Sequence, residues 1–100
     1  MSTDELIGLV ILWGRDHDIN NPYLQYAKVT EEVSEIAREM TRGRLKSPEI
    51  EDALGDSMVT LIILADILGY DIRNCLDAAY GVIKERTGVT KNGSFIKDDQ

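Results

Sequence analysis

Residues 49–65 decide how this chain folds: Glu49-Ile-Glu-Asp-Ala-Leu-Gly-Asp56, then Ser57, then Met58-Val-Thr-Leu-Ile-Ile-Leu-Ala65. Ser47-Pro48-Glu49 opens the stretch as a helix, with a capping hydroxyl, a proline in the first turn and an acid facing the positive end of the dipole. From Leu54 to Leu68 nearly every side of that helix is apolar, so other helices must surround it. At about 100° per residue, Glu49, Asp52 and Asp56 fall on one stripe, and the same steps continue it through Thr60, Ile63 and Ile67. A face that carries acids therefore runs into a face that requires burial. Carboxylates beside so much apolar surface are costly unless a cation compensates them.

A second acidic cluster, Glu31-Glu32-Val33-Ser34-Glu35, lies about twenty residues upstream. Asn21 caps its helix, Pro22 sits in the first turn, and the helix is expected to run to about Arg42, where Gly43 stops it. Val29, Val33, Ile36, Ala37 and Met40 share one face, with Glu32 and Glu39 flanking it and Glu35 further round. Ahead of it, Thr3 or Asp4 caps a first helix with Leu6, Leu9, Val10 and Trp13 at helical spacing. That helix fades after Arg15 into the turn-forming Asp16-His-Asp-Ile-Asn-Asn-Pro22. Downstream, Gly69 ends the third helix and Asp71 caps a fourth, with Ile72, Cys75, Leu76, Ala79 and Ile83 on one face and Thr87-Gly88 closing it. Cys75 reads as a small core residue. Asn92-Gly93 between short alternating runs predicts a hairpin-like tail, and Asp98-Asp-Gln100 is expected to fray.

The chain has 100 residues, a length for one domain: a core over about 4–88 and a tail over 89–100. Its 43% hydrophobic content fits a folded globular protein, and a formal charge of −7 argues against nucleic-acid or anionic-membrane surfaces. An anionic substrate remains compatible if divalent cations stand between it and the protein. The single cysteine excludes an internal disulfide and suits a reducing cytoplasm. Met-Ser-Thr-Asp-Glu has no basic region of a signal peptide, and the apolar run is too short to span a bilayer. The all-round apolarity of the third helix predicts a homodimer or homotetramer.

Carboxylates at i, i+3 or i, i+4 lie on one side of a helix. Two such helices packed together can gather Glu32, Glu35, Asp52 and Asp56 around one or two hard cations, with Mg²⁺ first and Mn²⁺ second. The alternative is a solvated acidic face on an acidic protein. Asp16-His-Asp-Ile-Asn-Asn resembles the start of a calcium loop but has Asn21 and Ala27 where that loop needs Gly and Glu. Lys84 and Arg86 are candidate phosphate contacts or cations that complement a helix end. Lys28, one turn before Glu32, is a phosphate contact or a surface partner for the acids. Trp13, Tyr23 and Tyr26 are candidate stacking residues for a base, or core.

Glu31-Glu32-x-x-Glu35, a gap, then Leu54-Gly55-Asp56 ahead of an apolar run resembles the MazG-like all-α nucleoside triphosphate pyrophosphohydrolases. Gln25-x-x-Lys28, Leu68-Gly-Tyr-Asp71 and Lys84-x-Arg86 extend the likeness, and Asn92-Gly-x-Phe95-x-Lys97 is similar to short phage- and prophage-type members. The resemblance spans residues 20–97. It implies a four-helix MazG-like bundle completed by oligomerisation, and Mg²⁺-dependent conversion of a nucleoside triphosphate to its monophosphate with release of pyrophosphate. It implies Glu32, Glu35 and Asp56 as metal ligands; Asp52 and Glu49 are the nearby acids able to supplement them. Glu35 is the candidate for positioning or deprotonating water, and Lys28, Lys84 and Arg86 for binding phosphate. Two departures stand out: Ala53 occupies the place of the family's second-motif glutamate, and Gly81 that of an asparagine associated with substrate contact. They favour the alternative of a helical interaction or regulatory module on the same scaffold.

Overall fold

The computed structural model describes residues 1–98, and they form four helices followed by a two-stranded antiparallel sheet. Helix α1 is Thr3–Asp16, α2 Pro22–Thr41, α3 Pro48–Ile67 and α4 Ile72–Ile83; strands β1 (Gly88–Lys91) and β2 (Ser94–Lys97) close the chain. Of the residues 98–100 expected to fray, 99 and 100 lie outside the described residues, and Asp98 is tied down: its amide donates to the Thr87 carbonyl and its carboxylate accepts from the Thr87 hydroxyl.

Local chemistry sets these boundaries. Ser2, rather than Thr3 or Asp4, caps α1: its hydroxyl accepts from the Glu5 amide and the Glu5 carboxylate accepts from the Ser2 amide, a reciprocal capping box. The Asn21 side chain accepts from the Tyr23 and Leu24 amides, and that of Ser47 from the Ile50 amide. Gly43 and Gly69 take the positive φ that ends α2 and α3, at 74° and 87°. Helix α4 stops at Ile83, short of the expected Thr87-Gly88, because the chain then tightens into a turn leading to β1.

Helix α3 is the hub. Helix α2 packs along it most extensively, and α1 and α4 also pack on it. The face α2 turns to α3 runs Gln25, Val29, Glu32, Ile36, Glu39, a 4-3-4-3 stripe rotated from the one expected: Val33, Ala37 and Met40 are exposed. Gln25 is buried there because its amide nitrogen donates to the Thr60 carbonyl, 3.1 Å away. Glu39 is buried because Arg44 donates to it twice, at 3.0 and 2.8 Å. On the other side of α3, Ile63 fills the space above Gly14 of α1, where an added Cβ would lie 3.2 Å from the Ile63 side chain. Two bidentate ion pairs frame this corner. Arg15 donates to Asp66 at 2.9 and 2.6 Å, and Arg73 to Asp71 at 2.9 and 2.8 Å while reaching the Asp4 carbonyl.

The enclosure expected around α3 is only partial. Ala53, Ile62, Ile63 and Ala65 are buried, but Leu54, Met58, Leu61 and Leu68 remain exposed. Helix α4 leaves α3 at 101° and buries none of its residues, so Cys75 is a surface thiol rather than a core residue. Among the described residues no single helix is long and apolar enough to cross a membrane. In the hairpin Val89 pairs with Ile96 and Thr90 with Phe95, across a turn with Asn92 and Gly93 at φ 53° and 78°. Gly88 is required there, since an added Cβ would strike the Ile96 carbonyl and come 2.7 Å from the Phe95 ring.

Candidate metal centre

The α2–α3 pair brings the two acidic clusters together at Glu32. This carboxyl is half-buried on the α2 stripe that faces α3. Its burial, followed by the negative charges of Glu35, Asp56 and Glu31, holds it above the usual glutamate range; Lys28, one turn back, opposes the shift. Asp56, twenty-four residues away in sequence and on α3, is among the charges that act on Glu32. Glu31, Glu35 and Asp56 are themselves exposed. Side chains inside the helices help set this segment: the Thr60 hydroxyl donates to the Asp56 and Ser57 carbonyls, and the Ser57 hydroxyl to the Ala53 carbonyl.

The remaining candidates lie elsewhere. Asp52 is exposed and lines a groove of about 480 Å³ between α1 and α3, with Asp56 beside it and Leu6, Val10 and Met58 as apolar walls. Glu49 lies with Glu35 in a cleft of about 290 Å³ at the far end of α2, where Arg38, Arg42 and Arg44 gather. Ala53 is 2% exposed. Lys84 and Arg86, past the end of α4, are exposed, and neither is among the charges that act on Glu32. Trp13 stacks on His17 with ring centroids 4.2 Å apart, and His17 donates through Nδ1 to the Trp13 carbonyl. Tyr23 and Tyr26 are exposed on α2.

The donor set suits a hard divalent cation in its chemistry: several carboxylates on facing helices and one lysine opposing them. Among the described residues, however, no three His, Cys, Asp or Glu side chains converge into a site that could hold an ion.

Sequence reasoning missed three features of this surface. The α1 wall of the groove beside Asp52 and Asp56 comes from a helix read only as core. The arginine cluster beside Glu35 carries no motif, although Arg38, Arg42 and Arg44 at short spacing across a helix end were a visible signal. A cleft of about 750 Å³ is framed by the Arg15–Asp66 and Arg73–Asp71 pairs; Arg15 and Asp66 are 51 residues apart and nothing local links them. Comparison with known proteins finds no matching family model, no matching curated protein and no matching solved structure.

Proposed function

We propose that this chain is a Mg²⁺-dependent nucleoside triphosphate pyrophosphohydrolase of the MazG-like type, acting as a homodimer or homotetramer. One observation carries the reading: Glu32 is half-buried against α3 among Glu31, Glu35 and Asp56, a concentration of negative charge that a divalent cation would relieve. Mg²⁺, or Mn²⁺ in its place, would be held by Glu32, Glu35 and Asp56, with Asp52 and Glu49 as supplementary donors, and would neutralise the phosphate chain of the nucleotide. Glu35, exposed at the mouth of the cluster, is the residue to orient or deprotonate the attacking water. Lys28 acts on the same cluster and is suited to a phosphate oxygen. The apolar groove beside Asp52 and Asp56 gives the base a place next to the acids.

A helical interaction module without turnover is the second reading. It is favoured by Ala53, which is buried without a carboxylate where the family's second motif has one. The two readings separate on incubation with a panel of ribo- and deoxyribonucleoside triphosphates. The enzyme reading predicts equal release of pyrophosphate and monophosphate with Mg²⁺, none with EDTA, and a loss of about 10²–10⁴-fold in Glu35→Gln. No turnover of any nucleotide with Mg²⁺ or Mn²⁺ supports the module.

A further inference from the structure

Helix α4 is anchored at its start, where Arg73 reaches the Asp4 carbonyl, but from Asn74 to Asp98 every residue except Gly88 is exposed. Helix α4 departs from α3 at 101°, and Leu76, Tyr80 and Ile83 form a bare stripe along it. A twelve-residue helix with no buried face is marginal by itself. A lone two-stranded hairpin is marginal too, and this one displays Val89 and Ile96 as an exposed cross-strand pair on one face.

The area involved identifies the kind of partner. The chain exposes 7918 Å², whereas a compact monomer of this mass exposes about 5,700 Å². The excess of about 2,200 Å² is well above the ~800 Å² that each partner contributes to a stable interface. Charge is divided the same way. Residues 1–71 hold six Lys and Arg against fourteen Asp and Glu, a net −8, while residues 72–98 hold Arg73, Lys84, Arg86, Lys91 and Lys97 against Asp77, Glu85 and Asp98, a net +2. The segment that lacks support is basic and apolar, and the body it extends from is acidic, with exposed apolar side chains of its own such as Leu9 and Leu12.

We propose that α4 and the hairpin form an arm that packs on the acidic helical body of a second copy of this chain, exchanged reciprocally across a two-fold axis. Reciprocal exchange gives both bodies the same contact and closes the assembly. The proposal rests on the homo-oligomer reading above and is independent of the catalytic one. It places the four cations beyond α4, Lys84, Arg86, Lys91 and Lys97, against the partner's acids rather than those of their own chain.

Sedimentation of the full chain tests this with two double variants, Val89→Thr/Ile96→Thr and Leu76→Gln/Tyr80→Gln. All four positions are exposed and the replacements keep strand or helix propensity, so helical ellipticity should match the wild type. The wild type should form a dimer or tetramer that weakens as salt is raised. Each double variant should raise the dissociation constant roughly a hundred-fold. A wild type that stays monomeric, an assembly that tightens with salt, or folded arm variants that assemble as tightly as the wild type would each overturn the proposal. None of these readings involves nucleotide or Mg²⁺, so its failure leaves the catalytic reading standing.

Discussion

At the scale of single residues, stability and the candidate chemistry pull on the carboxylates in opposite directions. Arg15 holds Asp66 below the usual aspartate range chiefly through its hydrogen bonds, Arg73 does the same for Asp71, and the Ser2 amide and hydroxyl lower Glu5. Groups lowered in the folded state stabilise it above their unfolded values and lose that contribution as pH falls through the lowered ones. Glu32 has the reverse sign. Its folded value is raised, so its contribution is complete below about pH 4.5 and is lost as pH rises through that raised value. Without divalent cation, Glu32→Gln should therefore be more stable than the wild type at neutral pH, by about 0.5 kcal/mol after solvent screening, and the difference should vanish below about pH 4. Melting both proteins across that range in EDTA checks it; a variant that is less stable at pH 7 would show that Glu32 is held by a partner rather than strained by its neighbours.

At the scale of elements, capping chemistry made the helices legible. Asn21-Pro22, Ser47-Pro48, Asp71, Gly43 and Gly69 each act within a few residues, and each sits where the sequence puts it. The Asn92-Gly93 hairpin is legible for the same reason. The α2 face was less so, because Gln25 and Glu39 are polar and a hydrophobic pattern cannot count them. They are buried by the Thr60 carbonyl and by Arg44, one a tertiary contact and the other a loop residue beyond the helix end. Of the site, the packing of α2 on α3, which puts the charge of Asp56 within reach of Glu32, followed from helix spacing, whereas the groove wall from α1 did not. Gly81 tests how α4 holds together. An added Cβ there meets nothing within 4 Å, so Gly81→Ala should stabilise the protein by about 0.5–1 kcal/mol through helix propensity alone. Equilibrium urea unfolding measures it; a loss of stability would mean that another surface covers Gly81.

At the scale of the whole molecule, the radius of gyration is 16.0 Å, against about 13 Å for a compact domain of this length. The apolar third helix signalled that one chain cannot enclose it, and Leu54, Met58, Leu61 and Leu68 are indeed left bare. That α1 lies along its other side was not legible, since Arg15 and Asp66 join segments 51 residues apart. The proposed cation site among the acids of α2 and α3 has a thermodynamic signature of definite sign. Asp56→Asn keeps size and polarity while removing one of the charges that raise Glu32. Thermal melting of wild type and Asp56→Asn, each in EDTA and in Mg²⁺, is the most direct measurement. For a ~1 mM site at ~10 mM ion, Mg²⁺ should stabilise the wild type by about 1.4 kcal/mol. The variant should melt higher than the wild type in EDTA and lose most of that Mg²⁺ response. A variant that melts lower in EDTA and keeps the full Mg²⁺ shift would contradict it.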